Sequence, residues 1–277
     1  MNDNGGRDPG PAFPGATLLY DLAACLRFYS RLPVPALPDE PDPHAAPDFR
    51  TVPRMLPVAG LILALPAALA LVAAWEIRLG PFVAATLALT VGALVTGALH
   101  EDGLADVADG FGGGRTRERR LEIMRDSRIG AYGGTALFLS LALRAGALAT
   151  LLDRSGSGHA ALALVLTAAV SRCAALTPMV LLGPARPGGA GASVGRPTGP
   201  TLGIAAGIAA ALALACVGLG LPWLGVGLLL VLAPLAALAL TTLARRRIGG
   251  QTGDVIGACQ QVAEVAGLLG LLAATPV

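Results

Sequence analysis

The chain has 277 residues, of which 54% are hydrophobic and only 14% charged, and its mean hydropathy is +0.67. An ordinary soluble domain is about one quarter charged, so the composition excludes one and points to a protein whose solvent is a bilayer. Twenty basic against 18 acidic residues leave a net charge of +2, and aromatics make up 4%, which gives no footing to nucleic-acid binding.

The N-terminal stretch lacks the basic start, compact apolar centre and small-residue cleavage site of a secretory signal, and is read as retained. Leu18, Leu19, Leu22, Leu26 and Tyr29 recur at helical spacing, which predicts an amphipathic helix lying at the membrane surface. The following "SRLPVPALPDEPDPHAAPDF" is too rich in proline to stay helical. Residues 1–54 are therefore expected to form an N-terminal cytoplasmic segment, and 55–277 a transmembrane catalytic domain.

Hydropathy divides that domain into seven spans, about 55–75, 80–99, 130–152, 159–182, 200–219, 222–243 and 254–274. The fold class is thus all-α, a polytopic helical bundle. Pro57, Pro66, Pro178 and Pro234 fall inside the spans and predict kinks, not breaks. One face collects Arg7, Arg27, Arg31, Arg50, Arg54, the arginines from 115 to 128, Arg186, Arg196 and Arg245 to Arg247, while the other receives only Arg78 and Arg154. The positive-inside rule makes the crowded face, and the N-terminus with it, cytoplasmic in the cell membrane. Cys25, Cys173, Cys216 and Cys259 are scattered, without metal-ligand spacing, and are expected to be packing residues.

At the end of the second span stands "LHEDGLADVADGFGG". Asp102, Asp106 and Asp109 are spaced i, i+4, i+7, which places them on one face of a helix continuing out of that span. Like charges on one face repel unless a cation neutralises them, and oxygen-only ligands select a hard divalent ion such as Mg²⁺. The surrounding glycines would let a bulky substrate approach the backbone. Immediately afterwards come six arginines, of which Arg125 and Arg128, flanking Asp126, are the candidates for binding phosphate, whereas Arg115 to Arg120 read as topology determinants. Metal-binding acids beside anion-binding bases are the minimum equipment for transfer from a diphosphate, where catalysis is positioning and charge stabilisation.

A second polar cluster, "RRRIGGQTGDVIGACQQVAE", offers Gln251 and Thr252 as neutral substrate contacts and Asp254 as either a helix cap or a proton acceptor. Glu264 lies about three turns deeper, where only Arg144 and Arg172 can partner it, in a structural or a substrate role. "LLGPARPGGAGASVGRPTGP" carries Arg186 and Arg196 and reads as linker or as a substrate loop. No internal repeat supports a transporter, and the acids sit at one mouth instead of at midplane.

"TGALHEDGLADVADGFGGGRTRERRLEIMRDSRIGAYG" strongly resembles the corresponding block of the cobalamin synthase family, the adenosylcobinamide-GDP ribazoletransferases. "FYSRLPVP", "SRCAAL", "ARPGGAG" and "GGQTGDVIGA" are similar to that family's other blocks, in order, from about residue 20 to the C-terminal end. Glu101 stands where the family pattern has an apolar residue, and the linker from Pro33 to Asp48 is individual. The resemblance implies Mg²⁺-dependent transfer of adenosylcobinamide phosphate from its GDP-activated form to α-ribazole or its 5′-phosphate, releasing GMP. On that reading Asp102, Asp106 and Asp109 hold the metal, with Asp106 and Asp109 catalytic through it. Arg125, Arg128, Arg172, Arg186, Gln251 and Thr252 contact substrate, and Asp126 or Asp254 accepts a proton. The partners are these small molecules and the lipid bilayer, and a homo-oligomer is compatible with it. The alternative is another Mg²⁺-dependent membrane enzyme, a phospho- or prenyl transferase working on a diphosphate-linked lipid.

Overall fold

The computed structural model describes residues 14–186 and 195–276. Residues 1–13 and most of the "ARPGGAG" block, with the substrate-loop expectation attached to it, lie outside the described residues. Among those described there is no strand. The elements are helices α1 (Pro14–Tyr29), α2 (Leu56–Glu76), α3 (Pro81–Thr96), α4 (Leu99–Gly113), α5 (Arg117–Ile123), α6 (Ala131–Ala174), α7 (Thr177–Leu181), α8 (Gly199–Gly218), α9 (Trp223–Ile248) and α10 (Gly253–Ala273), with a 3-10 turn at Val52–Met55.

Five helical stretches among the described residues are long and apolar enough to cross a membrane, or six when the bent pair α3 and α4 is taken as one. The seven segments expected from hydropathy differ from this count for two reasons. The segments 130–152 and 159–182 are arms of one element, α6, interrupted at Gly156 (φ 76, ψ 174). Unbroken, its 44 residues would extend ~66 Å, twice a ~30 Å hydrocarbon core. Instead Arg144 and Arg172, which a straight helix would hold ~42 Å apart, line the same small cavity, so the arms fold back beside each other.

The second reason is a correction. The acidic helix does not continue out of the second span: α3 ends at Thr96, and α4 leaves at 92°. Gly97 (φ 65) and Ala98 (φ 57) both adopt left-handed backbone and make this elbow. That conformation suits glycine and strains alanine, so the bend is held by its surroundings. With its axis turned away, α4 does not continue the span of α3.

Prolines 66 and 234 sit inside continuous helices, and Pro57 and Pro178 occupy first turns, where a missing N–H costs nothing. Small residues bring the spans together: Gly225 faces the Leu271 carbonyl and Gly270 the Leu228 backbone, so α9 and α10 meet with almost nothing between them. The four cysteines are free thiols, three of them buried. Helix α1 forms as its spacing predicts, but it is wedged into the fold, with Ala23, Cys25 and Tyr29 buried against Phe49, Met55 and Leu56. The proline-rich stretch has no helix, and Arg27 organises it by gripping Glu40 at 2.6 and 2.8 Å and the Pro35 carbonyl at 2.7 Å.

The charged ends separate as the arginine count requires. Arg154 donates to the Thr275 carbonyl at 3.3 Å and Ser157 to Glu76 at 3.1 Å, joining the sparse end. The opposite end gathers α4, α5, the loop after α7, the last turn of α9 and the first of α10.

Candidate active site at the arginine-rich end

Two sequence blocks 150 residues apart meet here because one residue lacks a side chain. Gly103, on α4, rests on the backbone of Asp254, so closely that an added Cβ would fall 2.8 Å from the Asp254 carbonyl oxygen and 3.1 Å from its Cα. Asp102 and Asp106 flank this contact, one turn apart. Burial, and then the charges of Asp102, Asp254 and Asp109, push the Asp106 carboxyl up to about 7, with Arg186 opposing them. The cap of α10 is Thr252, whose hydroxyl accepts from Val255 N at 3.3 Å and donates to Asp254 at 3.1 Å. Asp254 is thereby free of capping duty and joins the carboxylates.

Asp109 does not stand with them in the expected way. Its two oxygens accept from the backbone N–H groups of Gly130 (2.7 Å) and Gly133 (2.9 Å), satisfying the first turn of α6. The face predicted for α4 is real, but burial grades along it: Asp102 is exposed, Asp106 half-buried and Asp109 buried. Among the described residues no three His, Cys, Asp or Glu side chains already converge as a metal cluster. The carboxylates that share the mouth are Asp102, Asp106 and Asp254.

The glycines also have a different use from substrate approach. Besides Gly103, Gly110 faces Met124, Gly112 faces the Tyr132 ring, and Gly130 and Gly133 face the Asp109 carboxylate. They permit close packing of α4 against its neighbours.

Beside the carboxylates is an open pocket of about 340 Å³ lined by Arg117, Arg125, Arg186 and Leu121 among others. Arg186 donates to the Leu121 carbonyl at 2.7 Å and has a buried Nε with no partner among the described residues. Burial and the charge of Arg125 lower its pKa, while Asp254 and Asp106 oppose the shift. Two arginines expected to be topology determinants are structural as well. Arg117 donates to the carbonyls of Ile248 (2.8 Å) and Ala185 (2.6 Å), and Arg120 to those of Arg247 and Gly114 (both 2.9 Å). They close the C-terminus of α9, where cations complement the free carbonyls. A short backbone bridge, Gln251 N to Gly183 O and Ala185 N to Gln251 O, each 2.8 Å, ties the last two loops.

Other expected residues are placed elsewhere or otherwise engaged. Asp126 and Arg128 bind each other in a fork, at 2.6 and 2.9 Å, with the Arg128 side chain 86% exposed. Hydrogen bonds from Arg128 hold the Asp126 carboxyl down at about 2, which makes it a poor proton acceptor. Arg172 is buried deep in the bundle, donating to the Ala168 carbonyl, and is not among the mouth residues. Gln251 is buried, with its Oε1 unpartnered among the described residues; Thr252 serves as cap.

One layer below, Glu264 pairs with Arg144, one of the two cations its depth allowed, and not with Arg172; the rest of this enclosed network escaped sequence reasoning. Arg144 bridges Glu101 (3.2 Å) and Glu264 (3.3 Å). Gln261 donates to Glu101 (3.2 Å), Ser140 to Gln261 (3.2 Å), and Gln260 to Ser171 (3.0 Å) and Glu264. A cavity of about 50 Å³ lies among them, too small for any substrate of nucleotide size. Glu101 is therefore an ion-pair partner of Arg144. Gln260, Gln261 and Glu264, three polar residues within two turns of an apolar helix, were the available signal.

The family model described as cobalamin-5-phosphate synthase matches residues 21–272. The chain is similar to the adenosylcobinamide-GDP ribazoletransferases of Azorhizobium caulinodans (50% identical, covering 92% of this chain and 96% of the relative) and Xanthobacter autotrophicus (51%, covering 91% and 95%). A third from Sinorhizobium medicae is 46% identical over 91% of this chain and 95% of its own. No solved structure matches. With the family model matching residues 21–272 and relatives about half identical over more than nine tenths of the sequence, the chain belongs to the cobalamin-5-phosphate synthase family.

Proposed function

We propose that this chain is an adenosylcobinamide-GDP ribazoletransferase, a phosphotransferase for substituted phosphate groups that works at the cytoplasmic face of the cell membrane. A hydroxyl of α-ribazole, or of its 5′-phosphate, attacks the phosphorus that carries adenosylcobinamide. The new P–O bond replaces the one to GMP, which leaves, and the hydroxyl proton passes to a carboxylate. The relatives' names supply the substrates. The observation that carries the site assignment is the seating of Gly103 on Asp254, which puts carboxylates from both blocks at one mouth beside Arg186.

The donors fit a hard divalent cation. They are carboxylate oxygens without thiolate or imidazole, and their mutual repulsion, which adds to burial in raising Asp106, is what a cation relieves. Asp102 and Asp106 would hold Mg²⁺, which when bound neutralises diphosphate charge. Arg186 and Arg125 bind the phosphate oxygens, where guanidinium donors meet charge that builds as GMP departs. Asp254, held by Thr252, takes the hydroxyl proton in place of Asp126. Asp109 acts indirectly, by fixing α4 to α6. The positive-inside rule directs this end, which carries α5 and Arg245 to Arg247, to the cytoplasm.

The test is GMP release by purified protein in liposomes given adenosylcobinamide-GDP, α-ribazole and Mg²⁺. Wild type releases GMP, while Asp106→Asn loses about two orders of magnitude or more. Wild-type turnover by Asp106→Asn would remove the carboxylate from the machinery. A CDP-linked lipid or prenyl diphosphate serving as donor in place of the corrinoid would transfer the site to the alternative chemistry.

A further inference from the structure

The block "FYSRLPVP" places Arg31 directly after α1, and the reaction described above makes no use of it. Its backbone N–H donates to the Val95 carbonyl in the last turn of α3, at 2.8 Å. Its side chain lies across Gly97, at the α3–α4 elbow, in space that any Cβ at that position would occupy. The side chain is exposed, and its guanidinium has no ion-pair or hydrogen-bond partner among the described residues.

Arg31 closes one end of an apolar groove of about 750 Å³ between α3 and the first arm of α6, whose walls include Phe82, Leu89, Phe138 and Leu141. Phe82 and Phe138 are 62% and 70% exposed, on helices whose outer faces meet hydrocarbon. The groove's hydroxyls are already spent: Thr86 donates to Phe82 O at 2.8 Å and Thr90 to Thr86 O at 2.9 Å. Arg31 is the sole charged residue on its lining. From Phe82 to Gly97 the wall runs ~22 Å, longer than the ~15 Å that one leaflet contributes to a ~30 Å core.

An apolar channel long enough for the acyl chain of one leaflet, ending in one guanidinium unpaired among the described residues at the arginine-rich mouth, has the polarity of a single amphiphile with a phosphate head. We propose that the groove binds a phospholipid, its phosphate on Arg31 and one acyl chain laid between α3 and α6. A guanidinium fork matches phosphate oxygens in geometry and charge. The lipid would brace the strained elbow from outside, since Arg31 touches both the head-group site and Gly97.

Native mass spectrometry of delipidated protein, titrated with 1-palmitoyl-2-oleoyl-phosphatidylglycerol or with diacylglycerol of the same chains, tests this. Wild type should take one phosphatidylglycerol and bind diacylglycerol about tenfold more weakly or worse, the loss expected for one charge-assisted contact. Arg31→Ala should lose that preference, Arg31→Lys should keep part of it, and Ala142→Trp, which fills the groove from an exposed position, should weaken both ligands. Equal binding of phosphatidylglycerol and diacylglycerol by wild type, or unchanged binding by Ala142→Trp, overturns the proposal. So does a protein dimer that replaces the lipid adduct and is abolished by Ala142→Trp, which would assign the groove to a second copy. Should Arg31→Ala fail to fold, the wild-type comparison and Ala142→Trp still decide.

Discussion

The proposed site stands or falls on the Gly103 contact, and Gly103→Ala perturbs it with one methyl group. An alanine Cβ would lie 2.8 Å from the Asp254 carbonyl oxygen, about 0.6 Å inside the 3.4 Å at which ordinary contact begins, and 3.1 Å from the Asp254 Cα. Both atoms are backbone, so the helices must separate; no flexible side chain can yield. Overpacking of this kind costs ~1–3 kcal/mol, against ~1 kcal/mol returned because alanine favours the helix. Net stability therefore falls by ~0–2 kcal/mol, while Asp254 moves from Asp102 and Asp106 by several tenths of an ångström. A misplacement approaching 1 Å costs ~100-fold in rate, so a fall of roughly 10- to 100-fold in GMP release is expected at a thermal midpoint within a few degrees of wild type. Gly113→Ala is the control on the same helix, since its Cβ would meet only Ile123 Cδ1 at 3.5 Å. Wild-type turnover by Gly103→Ala, with fold intact, would refute the claim that the two carboxylate blocks act as one site.

Asp109→Ala removes the acceptor for two N–H groups at the start of α6 and should lower stability by ~1–2 kcal/mol in a detergent melt. The Mg²⁺ concentration for half-maximal rate should stay near wild type in Asp109→Ala but rise sharply in Asp102→Asn; the reverse pattern would restore Asp109 as a metal ligand. Asp126→Asn should alter turnover by less than about twofold, as expected of a solvated pair, and leave the acid limb of the pH profile in place. Loss of that limb would return the proton acceptor to Asp126. Arg144→Leu strands two carboxylates in the bundle and should cost ~3–5 kcal/mol, whereas the triple replacement of Glu101, Arg144 and Glu264 by leucine should recover most of that stability and still reduce GMP release.

Hydropathy was enough to read the helical bundle, the existence of α1 and the separation of charged ends, because each depends on local composition; that α1 is wedged into the fold and does not lie on its surface depends on what packs against it. The acidic face of α4 was legible from spacing alone, down to the residues that line it. What spacing could not supply was the third dimension. The turn at Gly97 and Ala98 requires a non-glycine residue in left-handed backbone, which is opposed by local propensity and imposed by tertiary contacts. Asp109 and Asp106 look equivalent along the sequence and differ only in their surroundings: two glycine N–H groups face one, and the charges of Asp102, Asp254 and Asp109 surround the other. Likewise Arg128 reads as a phosphate ligand and Asp126 as a proton acceptor until the fork that joins them is seen.

Adjacent residues on α4 show how the buried layer serves the mouth. Glu101 points inward and is fixed by Arg144, while Asp102 points outward into the mouth. On α10 the same division separates Asp254 in the first turn from Gln260, Gln261 and Glu264 beyond it. A helix pinned at one side chain by a directional bond cannot rotate about its axis without breaking that bond. Apolar packing would hold α4 and α10 together as firmly, but alanine-rich surfaces slide at little cost because their contacts are alike. The Glu101–Arg144–Glu264 bridge thus contributes orientation more than stability, the use for which buried ion pairs are best suited. By fixing which way Glu101 faces, it fixes where Asp102 and Asp106 face, and the Gly103 contact then sets how near Asp254 comes to them.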